Sequence, residues 1–358
     1  MADYRKAILA ALLALAVGAG SRTAGAKPGR PTAILEYRLG ETDSRVLLHS
    51  GNRTWTAVLP SERSIERSVS GFIRESGRPT GDIKALDRAA VRIAGEIIPF
   101  RRELENMDAF RLIVVPDGVL NELPFEALRF GEHMARLVER FALSYSSSAR
   151  TAGSRERNNR TACVSRIPKI GLLSTEGARL PGADREIAGI SGLFAGTGSG
   201  VCTGRFVIER FSGRSGKGCR VVLHFAGHAG PQAGGRDRNA LVLRVEAGEA
   251  GLLFPEEIRR AGIAAELVVL SACRTAGDLS RSFLEAGARS VVATLWPVAD
   301  RPSSRLVAAF YRRLRAGREK AEALREAKLE MIRGGHVHPF SWAGFILQGD
   351  PGGAISFR

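Results

Sequence analysis

LHFAGHAG (residues 223–230) and LVVLSACRT (residues 267–275) are each a short apolar run bounded by small residues. Such runs are typical of buried strands in a parallel sheet. One predicted strand leads to His228 and the other leads to Cys273. In open α/β sheets, functional groups gather at the carboxyl ends of the strands, so we expect these two side chains to meet at one edge. A cysteine and a histidine brought together there are the minimum for a thiolate nucleophile with an acid–base partner.

The part of the chain before residue 146 predicts a smaller α+β subdomain, which we assign to residues 33–145. We expect it to begin with three strands in an antiparallel meander, at residues 33–39, 45–50 and 55–59. Two helices follow at 61–75 and 83–105, and two further strands at 111–115 and 141–145.

Residues 146–162 are polar, basic and without periodicity, which predicts a linker. Strands then alternate with helices over residues 163–350, as is typical of a mainly parallel sheet covered on both faces. The predicted fold class is therefore α/β, a three-layer α/β/α sandwich preceded by the smaller subdomain. Helices are expected at about residues 183–193, 206–210, 279–286 and 303–334, with a turn at 254–261.

The amino terminus begins with a basic pair, Arg5 and Lys6, followed by fourteen residues without a polar side chain at 7–20. Ala24-Gly25-Ala26 then has the small-x-small spacing of a signal-peptide cleavage site. The run is too short to span a bilayer. Two interpretations remain: a signal peptide over residues 1–26, which implies export, or an apolar helix left over from an upstream helical repeat, which implies a cytoplasmic protein. The absence of polar residues at intervals of 3–4 favours the signal peptide.

The net charge of +16 raises the question of nucleic-acid binding. Only seven of the 53 basic residues are lysines, and the arginines are scattered along the chain instead of forming one stripe. Aromatic residues make up 6% of the chain, too few for an evident base-stacking platform. We therefore do not expect nucleic acid as a partner.

The four cysteines contain no Cys-x-x-Cys pair, so neither structural zinc nor thioredoxin-type redox chemistry is supported. Their spacing alone does not assign a disulfide among Cys163, Cys202 and Cys219.

Several further motifs, together with the two strands, resemble the CHAT family of caspase-related domains, which are usually attached to tetratricopeptide repeats. The likeness extends from about residue 33 to residue 350, with the motifs in the family's order. They are PDG (116–118), LPFEAL (123–128), LPGA (180–183), FLEAGARSV (283–291), LWPVAD (295–300), FY (310–311) and WAGF (342–345).

This resemblance implies a caspase- and separase-like fold with a His–Cys dyad and no cofactor. Cys273, as a thiolate, would attack the scissile carbonyl, while His228 would protonate the leaving amine and then help to activate water. The backbone N–H groups of Cys273 and Ala229 would hold the oxyanion. The implied function is that of a cysteine endopeptidase acting on a protein substrate.

The other histidines are interpreted as structural. His224 lies inside its strand among apolar residues, which is typical of a hydrogen-bonded core histidine. On a strand, His224 and His228 would stand about 13 Å apart, too far for a shared metal ion. His336 and His338 lie in a connection beside Pro339, and we expect no metal there either.

Asp300 has two interpretations. The stretch LWPVAD also resembles separases, in which an acidic residue lies in a corresponding stretch, and this implies a pocket for a basic residue before the scissile bond. Alternatively, Asp300 caps a helix that begins near Pro302, a role that aspartate fills well.

This sequence departs from the family pattern after the cysteine. A long glycine-rich loop usually follows in the family, whereas only residues 275–278 separate Arg274 from the next predicted helix. The usual tetratricopeptide repeats are missing from residues 1–358 as well. These departures affect substrate binding more than the chemistry, and they support the alternative of a regulatory module that binds a protein partner.

Overall fold

The structure is a computed structural model, and it describes residues 31–131, 133–149, 169–174, 181–194, 221–231, 239–244, 250–263 and 265–355. The predicted signal peptide at 1–26, most of the predicted linker at 146–162 and the predicted helix at 206–210 lie outside these ranges, as do Cys163, Cys202 and Cys219.

Fifteen strands are present in the described ranges. Those of the first half are β1 (Thr32–Arg38), β2 (Ser44–Ser50), β3 (Arg53–Leu59), β4 (Arg111–Val115), β5 (Arg129–Phe130), β6 (Ala135–Arg136) and β7 (Ala142–Tyr145). Those of the second half are β8 (Lys169–Ser174), β9 (Val221–Ala226), β10 (Ala229–Pro231), β11 (Asn239–Arg244), β12 (Ala250–Leu253), β13 (Leu267–Ser271), β14 (Ser290–Thr294) and β15 (Phe345–Gly349).

The described α-helices are α1 (Glu62–Ser76), α2 (Ile83–Ile97), α3 (Arg101–Asn106), α4 (Leu137–Arg140), α5 (Pro181–Leu193), α6 (Pro255–Ala261), α7 (Asp278–Glu285), α8 (Asp300–Arg315) and α9 (Lys320–Arg333).

Strands from both halves of the chain form one ten-stranded mixed sheet, in the order β3-β2-β1-β4-β7-β15-β14-β13-β9-β8. The predicted meander is confirmed, since β1 to β3 pair antiparallel in succession. In the second half, β8, β9, β13 and β14 pair parallel, while β15 runs antiparallel to β14. The predicted α/β class, with a mostly parallel sheet between helices, is confirmed.

Alternate residues of the central strands face two different helical layers. Leu223, Phe225 and Leu270 belong to a cluster that includes residues of α6 and α7 on one face. Val269 and Val292, one position along, pack in a second cluster that includes residues of α5 and α8 on the other face. This two-sided burial explains why the strands appear in the sequence as continuous apolar runs.

Two predicted helices are each broken in two. The predicted helix at 303–334 is α8 and α9, separated by a turn at Gly317 with a φ of +81°, a conformation that favours glycine. The helix predicted at 83–105 is α2 and α3, interrupted around Pro99, because proline disfavours helical backbone at the residue before it.

The turn predicted at 254–261 is wrong, because the structure has helix α6 there. Pro255 occupies its first position, where the missing N–H costs nothing. The Glu257 carboxylate accepts the backbone N–H of Phe254 at 3.0 Å, closing the start of the helix.

A buried ion pair ties the LPFEAL motif to α9. Lys328 Nζ lies 2.7 Å from Glu126 Oε1, and both side chains are almost fully buried. Tyr145 Oη donates to the other oxygen of Glu126 at 2.5 Å. Burial lowers the pKa of Lys328, and the charge of Glu126 opposes that shift. The LPFEAL motif therefore has a structural role, because it connects the segment between β4 and β5 to helix α9.

We expect Lys328→Met to lower the free energy of unfolding by about 3–5 kcal/mol, because it leaves the Glu126 carboxylate buried without its cation. Adding Glu126→Gln removes the second charge and keeps an oxygen that can accept the Tyr145 hydroxyl. The free energy of unfolding of the double variant should therefore exceed that of Lys328→Met by at least about 1 kcal/mol. Urea denaturation measures both values. As a control, Arg312→Met breaks an exposed pair with Glu330 and should change stability by about 1 kcal/mol or less. If the double variant is no more stable than Lys328→Met, the result would contradict an energetic coupling between Lys328 and Glu126.

Candidate active site

The register of two neighbouring strands places the cysteine and the histidine at one edge of the sheet. β9 and β13 pair parallel, with Ala226 opposite Ser271 in the last pair. The pairing extends one step further, because the N–H of Gly227 donates to the carbonyl of Ser271 at 3.1 Å. His228 and Cys273 each follow two residues beyond that last pair. The edge at which they leave the sheet is the carboxyl edge, where the sequence predicts the site.

His228 is held through its main chain. Its carbonyl accepts the N–H of Val242, in β11, at 3.0 Å. Ala229, the next residue, begins β10, so the histidine sits between the main sheet and a small three-stranded sheet. Its Nε2 is buried and, within the described part of the chain, makes no hydrogen bond, including none to the Cys273 thiol. A buried ring nitrogen without a hydrogen-bond partner is uncommon in folded proteins.

Cys273 is a half-buried free thiol at the start of a sharp turn. Arg274, which follows it, has a φ of +51°, in the left-handed region that few residues other than glycine adopt. The Asn239 side chain, from β11, donates to the Arg274 carbonyl at 3.3 Å. A strained conformation of this kind persists only where the surroundings enforce it, and such positions cluster at functional sites.

His224 is fully buried beneath this edge and is hydrogen-bonded, which confirms the structural interpretation. Tyr311 Oη lies 3.2 Å from its Nδ1. Burial, and then the charge of Glu186, raises the pKa of Tyr311 well above its ordinary value, so the phenol stays protonated.

Glu186 completes the same buried network. His224 Nε2 lies 2.8 Å from Glu186 Oε1, close enough for electrostatic attraction but without the alignment of a hydrogen bond. The Ser271 hydroxyl donates to Glu186 Oε2 at 3.2 Å. α5, α8, β9 and β13 are therefore joined just below the point at which His228 and Cys273 leave the sheet.

We expect Tyr311→Phe to lower the free energy of unfolding by about 1–3 kcal/mol, because it leaves a buried imidazole nitrogen without a donor. The rate of Cys273 alkylation by iodoacetamide should stay close to that of the wild type, since the network lies below the site. Urea denaturation and intact mass spectrometry measure these two quantities. A large loss of alkylation rate without a loss of stability would contradict the structural role of His224.

Asp300 is the first residue of α8, and Ala299 occupies the N-cap position. The prediction that Asp300 caps a helix beginning near Pro302 is therefore wrong, because the helix begins two residues earlier. The structure describes the backbone of Asp300 but not its side chain. Three residues before it, Pro297 lines the groove described next.

A groove of about 1180 Å³ opens beside the turn that follows Cys273. Asn239, Arg274 and Trp296 line it near that turn, and Ile346 and Gln348 of β15 line it further along. Four arginines and two glutamates contribute to the lining, so its charge is net positive; they are Arg74, Arg78, Arg274, Arg281, Glu122 and Glu285.

His336 and His338 make local contacts. His336 Nε2 lies 3.3 Å from an Arg305 nitrogen, and His338 Nδ1 accepts the N–H of Phe340 at 3.1 Å. Across the described ranges, no three His, Cys, Asp or Glu side chains converge as a metal-binding group. Within the same ranges, no helix is long and apolar enough to cross a membrane.

The sequence did not indicate the buried contacts of four polar residues near this edge, which are Glu186, Tyr311, Thr275 and Thr294. Glu186 shares a helix face with Ile190, at the i, i+4 spacing, which could have identified it as buried. The pairing of Thr275 with Thr294 had no signal in the sequence, because it depends on the alignment of two strands.

Comparison with known proteins supports the same family. The family model described as the CHAT domain matches residues 87–350. Mouse Tetratricopeptide repeat protein 28 is 36% identical over 108 residues, which are 27% of this chain and 4% of that protein. The human protein of the same name is 43% identical over 72 residues, 20% of this chain and 3% of that protein. The similarity thus spans a small part of the length of these relatives.

Two solved structures share the fold. Separase, in the Saccharomyces cerevisiae separase–securin complex, matches 89% of this chain and 30% of its own, with a TM-score of 0.59 and 9% identity. The complex of Porphyromonas gingivalis RgpB pro- and mature domains matches 82% of this chain and 78% of its own, with a TM-score of 0.51 and 12% identity. At these identities the likeness shows a common caspase-like fold.

Proposed function

This chain belongs to the CHAT-domain family, and on that premise we propose that it is a cysteine endopeptidase that cleaves a protein substrate with Cys273 and His228. The observation that carries the proposal is the register of β9 and β13, which brings the two residues to one edge two positions beyond the same strand pair. The buried Nε2 of His228, without a hydrogen bond in the described part of the chain, supports it, because a general acid–base group needs a free nitrogen.

The reaction follows from the groups at this edge. The Cys273 thiolate attacks the scissile carbonyl, a C–S bond forms, and the carbonyl oxygen becomes an oxyanion. The C–N bond then breaks as His228 protonates the leaving amine. Water, deprotonated by His228, hydrolyses the thioester and regenerates the thiol. The N–H groups of Cys273 and Ala229 stabilise the oxyanion in both steps.

The substrate is a polypeptide that reaches the site in an extended conformation. The groove beside Arg274 provides room for such a segment, and its net positive charge favours acidic side chains in the part of the substrate that lies there. Asp300 follows Pro297 closely in the chain and contributes a carboxylate for a basic residue before the scissile bond. The partner of this protein is accordingly another protein.

We expect Cys273→Ala to abolish hydrolysis of Arg- and Lys-containing fluorogenic peptides, and His228→Ala to reduce kcat by about 10²–10⁴-fold, the usual contribution of a general acid–base group. His133→Ala, at an exposed histidine, is the matched control and should retain wild-type activity. Peptide hydrolysis by purified protein measures these rates.

Full activity of the Cys273→Ala protein would overturn the proposal. Alkylation provides an independent readout, in which His228→Ala should slow labelling of Cys273 while His133→Ala should not. The Cys273→Ala protein supplies the background from Cys163, Cys202 and Cys219.

We expect Asp300→Asn to raise KM for peptides with Arg or Lys before the scissile bond, because a carboxylate paired with a cation is replaced by a neutral amide. The alkylation rate of Cys273 should not change, since iodoacetamide does not occupy that pocket. A KM series over peptides with Arg, Lys, Gln and Leu at this position gives the measurement. An identical residue preference in both proteins would exclude the acidic pocket.

A regulatory module that binds a protein partner without cleaving it is the second candidate. It is favoured by the short segment between Cys273 and α7, which begins at Asp278 and leaves little chain to shape a cleft. Alkylation that does not depend on His228, together with no peptide hydrolysis, would support this candidate over the peptidase.

A further inference from the structure

Two fully buried threonines hold the turn that carries Cys273. Thr275 lies in that turn and Thr294 ends the neighbouring strand β14, and each has no exposed surface. Their contacts are reciprocal: the N–H of Thr275 donates to Thr294 Oγ1 at 3.2 Å, and the N–H of Thr294 donates to Thr275 Oγ1 at 2.9 Å. Each hydroxyl thus accepts one backbone N–H from the other residue.

Each hydroxyl also donates a hydrogen bond to a backbone carbonyl of the segment that leads to Cys273. Thr275 Oγ1 donates to the carbonyl of Leu270 at 3.2 Å, and Thr294 Oγ1 donates to the carbonyl of Ala272. The two Oγ1 atoms also lie 3.2 Å apart, where either hydroxyl could donate to the other. When both hydroxyls donate to the carbonyls, the one proton of each is fully used. The pair forms a closed network in which the Ala272 carbonyl is held in one direction.

The direction of that carbonyl sets the direction of the Cys273 N–H. Carbonyl and N–H of a trans peptide point in opposite directions, and the described chain has no cis peptide bonds. The Ala272 carbonyl points to Thr294, so the Cys273 N–H points away from it. The same geometry applies on the other strand, where the His228 carbonyl is held by Val242 and the Ala229 N–H therefore points away from the small sheet.

We propose that Thr294, supported by Thr275, is a positioning residue that fixes the Cys273 N–H as an oxyanion donor before substrate binds. The inference rests on the proposed peptidase function and adds a residue to it that touches neither substrate nor thiol. Removal of the Thr294 hydroxyl takes away the hydrogen bond that directs the Ala272 carbonyl, and with it the constraint on the Ala272–Cys273 peptide. Removal of one oxyanion donor typically lowers kcat by about 10²–10³-fold.

A purely structural role would have different consequences from a positioning role. Alkylation by iodoacetamide forms an S–C bond and expels iodide, and no oxyanion develops on a carbonyl. Peptide hydrolysis needs the same thiolate and also the oxyanion donors. Loss of a correctly directed N–H should therefore reduce hydrolysis and leave alkylation unchanged, whereas a disordered turn reduces both.

The test compares Thr294→Val, which keeps the shape and removes the hydroxyl, with Thr294→Ser, which keeps the hydroxyl. We expect Thr294→Val to lower kcat by about 10²-fold with little change in KM, and to leave the alkylation rate of Cys273 within about twofold. Thr294→Ser should retain most of the activity. Ser290→Ala is the matched control, because Ser290 is a buried hydroxyl on the same strand that donates to the Asp350 carbonyl at 2.7 Å, at the other end of β14.

Unchanged kcat in Thr294→Val, or an equal loss of kcat and of alkylation, would overturn the positioning role. If Thr294→Val does not fold, Thr275→Val provides the measurement, because it leaves the Thr294 hydroxyl in place and removes only its support. We then expect a several-fold loss of kcat with a normal alkylation rate. An unchanged kcat in Thr275→Val would overturn the positioning role. Failure of the peptidase proposal itself is visible in the wild type, as no hydrolysis and no His228-dependent alkylation, and it removes the positioning role as well.

Discussion

The parallel pairing of β9 with β13, with Ala226 opposite Ser271, is the constraint on which the rest of the site depends. Because parallel strands end at the same edge, the residues that follow them leave the sheet side by side. The helices of both layers bury the two strands completely, so their register cannot shift without exposing apolar residues to water. The core therefore fixes the two strand ends from which His228 and Cys273 follow.

Polar contacts below this edge convert the strand pairing into a rigid platform. Glu186, His224, Tyr311 and Ser271 form a buried network on one face of the sheet. Burying such groups has a cost in free energy unless they are paired, and this network pairs most of its atoms. The hydroxyls of Thr275 and Thr294 likewise join the turn after β13 to the end of β14, because each accepts the backbone N–H of the other residue. Under the proposed mechanism, such an arrangement would set the orientation of the catalytic groups before substrate arrives.

Periodicity and apolar runs were sufficient to predict the fold class, the meander and the shared sheet edge at which His228 and Cys273 follow their strands. Each of these depends on local patterns that the chain shows directly. The break between α8 and α9 was missed because apolar residues continue at helical spacing across Gly317, and one glycine is a weak signal against that pattern. The start of α8 at Asp300 was also missed. Pro302 suggested that the helix begins near that residue, but proline is tolerated anywhere in the first turn of a helix.

The partners of polar core residues could not be predicted in this way. His224 was correctly expected to be buried and hydrogen-bonded, but its contacts to Tyr311 and Glu186 join residues far apart in the chain. The same applies to the ion pair of Lys328 with Glu126, which connects α9 to a motif 202 positions earlier. Such contacts depend on how the layers pack, and local patterns in the sequence do not show which polar residues will face each other.

A crystal structure of the protein after reaction with a peptide aldehyde tests the central claim most directly. We expect a covalent bond from Cys273 Sγ to the aldehyde carbon, with His228 Nε2 beside it, and that bond would identify the nucleophile. We also expect the resulting oxygen to lie about 3 Å from the backbone nitrogens of both Cys273 and Ala229. An adduct on another residue, or an oxygen directed away from these two N–H groups, would contradict that claim.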